Sequence, residues 1–494
     1  MGLCQPFIFN ELLTGASGIP GTSPTPDAHA VLLLLLLSLP ELPELLGYGD
    51  ELSGGETEVA PPWGHQMPVS ALPMPEAFDM PEADAEPMTD VKPGLGVSRQ
   101  SFVESFVESF ATGTLPLSDA PLAPVKRYVG NEAHRPLLGS TVNSAPVPIN
   151  LADIHQFKPG VYNAITDVPG IKVGQVTLVQ PGADPIQTGI TAVVPDMARL
   201  TNGQGNLATY GLSAYGDAIS GYGEMTGLYG VRTLGVMNAP VIMTNTRAVG
   251  RVYSGVGMYY RKHFPGLWRT GLPIVGECWD GRYNTINTLS IEEQDAVEAI
   301  ESASSGPVLQ GRVGAGRGMR SFGLQGGLGS SSRQFEVGGK TYTVGVLVNS
   351  NHGQLEYMPQ AMRDALTEAI GDVQQLSVQA RAKELKPVGQ EDGGSIVIVM
   401  ATDLPMTSDQ LALLVARATA GLAMVGSRLS ITSGDFAIAF STAKPVPLEK
   451  GAPPIQVQTR LSWDELNTLF DAAVEAVAEA QLNALVAGYG GGRR

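Results

Sequence analysis

The sequence predicts a layered α/β domain in which helices cover the outer faces of β-sheets. From about residue 150, extended segments rich in β-branched residues recur between glycine turns, and amphipathic helical segments lie between them. Hydrophobic residues make up 43% of the 494-residue chain and charged residues only 16%, a composition typical of a folded protein with a large core. Together these observations predict a folded domain at residues 146–494.

Six segments have the composition of β-strands. They are 171–176, 189–194, 240–244, 341–348, 395–400 and 436–440. Several of them are apolar on both faces, which is typical of strands that are covered on both sides.

Four segments place apolar residues at helical spacing. They are 291–302, 360–370, 408–424 and 463–487. The last is the clearest, because Leu466, Leu469, Phe470 and Ala473 recur on one face after the capping residue Ser462. By contrast, segment 375–394 is polar and then rich in glycine, and it predicts an exposed loop that runs directly into the strand at 395–400.

Residues 1–145 differ from the rest of the chain and predict a mostly disordered, acidic, proline-rich extension. Residues 1–91 contain no Lys or Arg, fourteen Asp or Glu and thirteen of the 36 prolines. This stretch alone carries a formal charge of −14 out of −17 for the whole chain. Proline interrupts both helices and sheet ladders, so regular structure is not expected here.

Within this extension, residues 28–39 form an apolar run of the length of a signal-peptide core. No positive residue precedes the run, and it is too short to span a bilayer. A short apolar helix or a wrongly assigned start codon explains it better than secretion does. We therefore expect a cytoplasmic protein without membrane contact, and the run leaves secretion as the alternative.

Several classes of function are disfavoured by the sequence. The formal charge of −17 leaves no basic surface for nucleic acid. Two cysteines, Cys4 and Cys278, form neither a disulfide framework nor a thiolate zinc cluster. Metalloprotease, phosphate-loop, dinucleotide-binding and G-x-S-x-G motifs are absent from the sequence. Only His263 and His352 lie well beyond the extension, so a Ser-His-Asp triad is possible only through His352.

Segment 392–403 carries the most informative pattern. Taken alone, Gly393-Gly394-Ser395 before a strand indicates a turn. The run GGSIVIVMATDLP, however, resembles the junction at which members of the L-aminopeptidase/D-amidase-esterase and β-peptidyl aminopeptidase family cut themselves into two subunits. The resemblance continues in family order through 163–174, 223–227, 244–250, 276–281, 313–316, 326–333 and 433–435. It covers roughly residues 150–445.

This resemblance implies a four-layer αββα sandwich of the N-terminal-nucleophile type. It also implies that the Ser395 hydroxyl attacks the Gly394 carbonyl, so that cleavage releases a C-terminal subunit of 100 residues. Glycine at 394 has no Cβ, which permits a strained turn and a close approach of the hydroxyl. The freed α-amino group, with an ordinary pKa of about 7.7–8.0, would then serve as the base in place of a histidine.

Three further residues match the catalytic pattern of the family. Asn351 matches the asparagine that donates its amide to the oxyanion, although by itself it equally indicates a turn before Gly353. Ser433 matches a serine that bonds the nucleophile, and Asp435 an acidic residue that orients this group. Without the resemblance, Ser-Gly-Asp indicates a tight turn, and some relatives carry Glu at the position of Asp435.

Glu277 matches the family carboxylate that holds the free amine of the substrate, and we expect Trp279 to wall the same pocket. Without the match, Glu277 would be a surface residue at a strand end and Trp279 a buried structural residue. The chain departs from the family pattern at Arg282, where relatives usually continue with Leu-Asn-Asp, and at Arg312, where asparagine is common. We expect these departures to affect the substrate and not the class of reaction.

The resemblance therefore implies a hydrolase, an aminopeptidase that releases N-terminal residues from short peptides, amides or esters through an acyl-enzyme at Ser395. No metal or organic cofactor is implied, and homo-oligomers of cleaved heterodimers are expected. The family includes enzymes for L-, D- and β-amino-acid substrates, among which the sequence does not choose. Two alternatives stay open: an amidase or acyltransferase of a biosynthetic pathway with the same nucleophile, and an inactive scaffold or binding module of the same fold.

Overall fold

The computed structural model describes residues 123–131, 133–134, 155–266, 271–385, 394–449 and 452–489. The chain divides into two units, Met1–Thr112 and Gly113–Arg494, and every described residue belongs to the second. The apolar run 28–39, most of the predicted extension and segment 386–393 lie outside the described residues.

The strands of the described residues form two main sheets and one short hairpin. In chain order they are β1 (Lys126–Val129), β2 (Ile171–Gln180), β3 (Ile186–Pro195), β4 (Tyr210–Gly221), β5 (Val236–Met237), β6 (Val241–Asn245), β7 (Ile274–Cys278), β8 (Arg320–Ser321), β9 (Leu324–Gln325), β10 (Leu328–Val337), β11 (Lys340–Asn351), β12 (Ser395–Thr402), β13 (Gly434–Ser441) and β14 (Val446–Pro447).

The helices lie between these strands and after them. They are α1 (Met197–Leu200), α2 (Leu228–Leu234), α3 (Val249–His263), α4 (Glu293–Glu301), α5 (Gln360–Ile370), α6 (Val373–Arg381), α7 (Ser408–Met424) and α8 (Trp463–Gly488). Within the described ranges, no helix combines the length and the hydropathy that crossing a bilayer requires.

The first sheet has five strands in the order β1-β2-β3-β6-β7. The second has seven, with β10-β11-β12-β13-β4-β14 as neighbours and β5 paired to β4. In this second sheet β12 runs parallel to β13, whereas β11 pairs with β12, and β13 with β4, in antiparallel fashion. The C-terminal ends of β11 and β4 therefore lie at the same end of the sheet as the N-terminal ends of β12 and β13.

The side chains of β12 show how the layers are held together. Val397 and Val399 belong to the core that β12 shares with the first sheet, whereas Ile396 and Ile398 belong to the core under α7 and α8. This alternation follows from the period of two residues in a strand, and it requires a strand that is apolar on both faces. Helices α3 and α4 cover the outer face of the first sheet. The four-layer αββα sandwich is thereby confirmed.

All six predicted strands and all four predicted helices are present, and α5 and α7 have the predicted bounds. Two expectations are wrong. Segment 375–394 was expected to be a loop, but residues up to Arg381 belong to α6, where Val373, Ser377 and Ala380 are buried at helical spacing. The second error is the predicted domain boundary at residue 146, because the edge strand β1 lies before it.

Strand β1 is tied to the sandwich by side chains as well as by its backbone. Arg127 forms ion pairs with Asp295 at 2.9 Å and with Glu292 at 3.3 Å. Nearby, His134 is fully buried, and its Nε2 lies 2.6 Å from Thr177 Oγ1. The folded part of the chain therefore begins before the predicted boundary at residue 146.

Candidate active site

Several strand ends meet at one end of the sandwich, around Ser395. Ser395 is the first residue of β12 and pairs with Asn351 at the end of β11 and with Gly434 at the beginning of β13. Gly434 in turn pairs with Gly221 at the end of β4. The topology of the second sheet thus brings residues together that are more than 200 positions apart in the sequence.

A cavity of about 290 Å³, which we call the Glu277 cavity, opens at Ser395. Its lining residues are Gly221, Tyr222, Gly223, Thr246, Glu277, Trp279, Gly394, Ser395 and Thr432. Three residues chosen from the sequence, Ser395, Glu277 and Trp279, therefore face one space. Trp279 is partly exposed there, so it is not a fully buried structural residue.

The peptide that links Gly394 to Ser395 is held in a fixed position. The Gly394 carbonyl accepts a hydrogen bond of 3.1 Å from the Gly434 backbone N–H. A Cβ at position 394 would lie 2.8 Å from His352 Cβ, a distance that real Cβ contacts do not reach. Glycine is therefore required at this position by close packing.

Asn351 lies beside the Ser395 hydroxyl with its amide group oriented by three contacts. Its Nδ2 donates to Ser395 Oγ at 3.2 Å and to the Trp279 carbonyl at 2.7 Å. Its Oδ1 accepts from the Arg320 backbone N–H at 2.9 Å. Asn351 is the buried last residue of β11 and does not form a turn. One amide hydrogen is thus directed at the Ser395 hydroxyl.

Ser433 and Asp435 lie on the other neighbour of β12. Ser433 Oγ donates to Asp435 Oδ1 at 2.7 Å, and a Cβ at Gly394 would lie 3.2 Å from the same Oγ. Burial raises the pKa of Asp435 to about 6, against the hydrogen bond from Ser433, which lowers it. Asp435 lies within β13, which begins at Gly434, so the tight turn that Ser-Gly-Asp indicates by itself is not formed.

Glu277 is a buried residue of β7 and not a surface residue at a strand end. Its carboxylate accepts hydrogen bonds from the Glu224 backbone N–H at 3.2 Å and from the Thr246 hydroxyl. A Cβ at Gly223 would lie 2.8 Å from Glu277 Oε1, so only glycine leaves room for this carboxylate. Burial raises the pKa of Glu277, and the two hydrogen bonds oppose the rise.

Thr246 and the Glu224 backbone were not predicted as site residues, although both lie in segments that carry the family resemblance. Their contribution is to fill hydrogen-bonding positions of a carboxylate that the Glu277 cavity would otherwise leave unsatisfied. Sequence segments 223–227 and 244–250 contained the signal, since short motifs rich in glycine and polar residues lay next to predicted strands.

Two other reactive side chains near Ser395 do not compete with it. Cys278 is fully buried, its thiol donates to the Asn349 carbonyl, and burial raises its pKa well above the usual range. His352 lies 2.8 Å from Ser427 Oγ through Nδ1 and 3.1 Å from Gln481 Oε1 through Nε2, and burial lowers its pKa to about 4. The Ser-His-Asp alternative is therefore wrong for Ser395.

The two departures from the family pattern lie in different places. Arg282 lines a second cavity of about 210 Å³, which shares Gly394 with the Glu277 cavity. Arg312 is largely buried, and it lines neither of these two cavities. Within the part of the chain that the structure describes, no three His, Cys, Asp or Glu side chains are grouped to hold a metal ion.

Comparison with known proteins decides the family. Residues 163–490 match peptidase family S58, which is two thirds of the chain. This chain belongs to peptidase family S58. The matched range contains every site residue described above.

The S58 peptidase is 40% identical to a β-peptidyl aminopeptidase of Sphingosinicella microcystinivorans over 339 residues, which is 67% of this chain and 83% of that protein. Its fold is similar to the solved structure of a β-aminopeptidase from a Burkholderia species, with a TM-score of 0.58 and 33% identity over 68% of this chain and 89% of the other. It is also similar to the L-aminopeptidase D-Ala-esterase/amidase of Ochrobactrum anthropi, described as a variant of the Ntn-hydrolase fold, with a TM-score of 0.57 and 32% identity over 67% and 88% of the two chains.

Family membership and these relatives make the S58 peptidase a hydrolase with serine aminopeptidase activity. They decide against the inactive scaffold. Which residues perform the reaction is inferred from the geometry around Ser395.

Proposed function

We propose that this S58 peptidase cleaves its own chain between Gly394 and Ser395 and then releases N-terminal residues through an acyl-enzyme at Ser395. One observation carries the proposal. Ser395 lies at a cavity with an amide donor, Asn351 Nδ2, 3.2 Å from its Oγ and with the buried carboxylate of Glu277 in the cavity wall.

Self-cleavage requires the hydroxyl oxygen of Ser395 to attack the carbonyl carbon of Gly394. The new C–O bond replaces the Gly394–Ser395 C–N bond, and the hydroxyl proton ends on the freed nitrogen, which becomes the α-amine of Ser395. Water then hydrolyses the ester and leaves a carboxylate on Gly394. The Gly434 N–H, which already bonds the Gly394 carbonyl, stabilises the negative charge on this oxygen.

Turnover of a substrate uses the same hydroxyl with a new base. The α-amine of Ser395, with an ordinary pKa of about 7.7–8.0, takes the hydroxyl proton while Oγ attacks the substrate carbonyl. Asn351 Nδ2 donates to the oxyanion, and the amine returns the proton to the leaving group. Ser433, held by Asp435 and close to Gly394 just before β13, orients the reacting serine.

Glu277 gives the reaction its preference for a free amino terminus. A substrate ammonium that enters the Glu277 cavity loses water, which is costly unless an opposite charge is present. Glu277, buried and held by Thr246 and the Glu224 backbone, supplies that charge. An N-acetylated substrate brings no charge and leaves the carboxylate unpaired.

The substrate series follows from the relatives. By their names, two of them act on β-peptides or β-amino-acid derivatives and one on L-amino-acid and D-Ala derivatives. We therefore propose short peptides, amides or esters with an N-terminal L-, D- or β-residue as substrates of this chain.

The test compares free and N-acetylated p-nitroanilides of L-alanine, D-alanine and β-alanine. The purified protein is expected to hydrolyse at least one free-amine anilide with a kcat/KM about 10- to 100-fold above that of its acetylated form, since a charge-assisted hydrogen bond contributes about 1.5–3 kcal/mol. Equal hydrolysis of both forms would contradict the role of Glu277 and favour an endo-acting or acyl-transfer enzyme.

We also propose that the cleaved protein assembles into homo-oligomers. An apolar surface supports this, because Leu234 and Leu272, which line one groove, are 75% and 58% exposed, and Tyr229, next to the lining residue Gly230, is 86% exposed. Light scattering of the purified protein is expected to give a multiple of the chain mass, and the mass of one chain would contradict it.

A further inference from the structure

The second cavity at Gly394 is strongly basic. Its wall contains Arg282, Arg320, Arg381 and Arg428, and none of the described residues that line it is Asp or Glu. Histidine adds no charge, because the pKa of His352 is lowered to about 4 by burial. We call this space the arginine cavity. In a chain with a formal charge of −17, four guanidinium groups around about 210 Å³ create a local field that attracts anions.

Two of these arginines already bind a carboxylate of the same chain. Arg282 Nη1 lies 3.4 Å from Glu384 Oε2, and Arg320 Nε lies 3.0 Å from Glu384 Oε1. All three side chains are only 16–18% exposed, so these charges are partly shielded from water. The pair of guanidinium groups is thus spaced so that one carboxylate can contact both.

The other walls of the arginine cavity are ordered as well. The Arg428 guanidinium lies over the Tyr357 ring at 3.8 Å from its centroid, a cation–π contact that limits its motion. Burial lowers the pKa of Arg320, the charge of Glu384 opposes this shift, and the charges of Arg282 and Arg381 add to it, although an arginine stays charged at neutral pH. Binding an anion here would relieve the repulsion among these cations.

The position of the arginine cavity relative to the reacting bond defines what enters it. Glu277 lines only the other cavity, so the acyl part of a substrate, which carries the ammonium, lies there. Asn351, whose Nδ2 lies 3.2 Å from Ser395 Oγ, and Ser433, whose Oγ lies close to Gly394, line the arginine cavity. The leaving group therefore extends past these two residues and towards the arginines.

We propose, on the basis of the proposed function, that the arginine cavity binds the carboxylate of the leaving amino acid. The preferred substrates are then short peptides with a free C-terminus, dipeptides above all, and uncharged amides are poorer. Arg282, which departs from the family pattern, is the specificity-determining residue, together with Arg320. Glu384 already contacts both guanidinium groups and therefore competes with the substrate carboxylate.

The experiment uses two substrates that differ only at the carboxyl end: X-Gly and X-glycinamide, where X is the residue best released from its p-nitroanilide. For the mature wild-type protein, kcat/KM for X-Gly is expected to exceed that for X-glycinamide about tenfold or more. Because the contact is partly exposed, the ratio should shrink in 0.5 M NaCl. Equal kcat/KM values with normal anilide turnover overturn this proposal alone. Absence of turnover for every anilide overturns the proposed function and this proposal with it.

Variants identify the residues. The acid-to-amide ratio is kcat/KM for X-Gly divided by kcat/KM for X-glycinamide. Arg282→Gln is expected to lower this ratio about tenfold, mainly by raising KM for X-Gly. Glu384→Gln should raise the ratio, because it frees both guanidinium groups. A structural effect would change both substrates together and leave the ratio constant. Arg261→Gln, at an exposed residue of α3 outside the cavity, is the control that keeps the wild-type ratio. An unchanged ratio in folded Arg282→Gln overturns the assignment of this arginine.

Discussion

The two cavities that share Gly394 have opposite charges. One has the buried carboxylate of Glu277 in its wall, and the other has four arginines and, among its described lining residues, no carboxylate. A dipeptide carries an ammonium at one end and a carboxylate at the other, with its single peptide bond between them. In the proposed function, the opposite charges of the two cavities orient such a substrate across Ser395 in one direction.

The cavities also differ in how the fold supports their charges. Glu277 lies within β7 of the first sheet and is held by hydrogen bonds from Thr246 and the Glu224 backbone. The arginines lie outside the two main sheets: Arg282 follows β7, and Arg428 follows α7. Connections between elements vary more readily than sheets. This explains why Glu277 fits the family pattern while Arg282 departs from it.

The largest expected effect is a loss of rate that is common to both cavities. Asn351→Ala removes the amide hydrogen beside Ser395 Oγ, so kcat/KM should fall by about 100-fold or more for every substrate. The preferences for a free amine and for a free carboxylate should persist, because neither depends on the oxyanion. Steady-state kinetics on cleaved protein measures this, with the exposed Asn287→Ala as control. Near-normal turnover would exclude Asn351 from the site.

The next effect is confined to the Glu277 cavity. Glu277→Gln keeps the volume of the side chain but removes its charge, so kcat/KM for free-amine substrates should fall by up to about 100-fold. The discrimination against acetylated substrates should shrink, while the acid-to-amide preference stays. Glu368→Gln, on the exposed side of α5, serves as the matched control. A variant that still discriminates as the wild type does would remove Glu277 from amine binding.

The raised pKa of Glu277 predicts how activity and thermal stability change with pH. Because burial raises this pKa, lowering the pH neutralises Glu277 before an ordinary glutamate, and free-amine turnover should decline with it. The same shift means that the folded state binds the proton more tightly than the unfolded state does, so the ionised carboxylate costs stability above the ordinary Glu pKa. Glu277→Gln should therefore show a Tm at pH 8 equal to or above that of the wild type. A clearly lower Tm would indicate a stabilising role instead.

The smallest effect is expected from deletions in the N-terminal region. Neither cavity has a lining residue before Gly221, so deletion of residues 1–112 is expected to leave both preferences and the Tm unchanged. Deletion of residues 1–140 also removes β1 and the Arg127–Asp295 ion pair, and it should lower the Tm by roughly 2–10 °C. Equal Tm values for the two deletions, measured by calorimetry, would show that β1 adds nothing.

Sequence patterns predicted the helices and strands in which apolar residues recur with a clear period. The β12 run is apolar on both faces because one face meets a sheet and the other meets helices, and α8 repeats apolar residues over seven turns. Weak elements were missed for physical reasons. The four residues of β1, Lys-Arg-Tyr-Val, carry little apolar pattern because they form an edge strand. Helix α3 has Gly255 where it packs closely on α4.

The site was predictable only in part. Residues such as Ser395 and Glu277 were found by resemblance, because their motifs are local in sequence. The Gly434 N–H, the Thr246 hydroxyl and the arginine cavity depend on strand pairing and on chain connections that meet only in the folded protein. No local pattern around Arg381 or Arg428 indicates that they would lie beside Gly394.

The central claim is that Ser395 becomes an N-terminal nucleophile, and the intact masses of the purified wild-type and Ser395→Ala proteins test it most directly. The wild type is expected to show a C-terminal fragment of 100 residues whose N-terminal sequence begins Ser-Ile-Val, together with anilide hydrolysis. Ser395→Ala should remain a single chain without turnover, since both reactions need the same hydroxyl. An active wild-type protein that is uncut, or cut at another residue, would contradict the account.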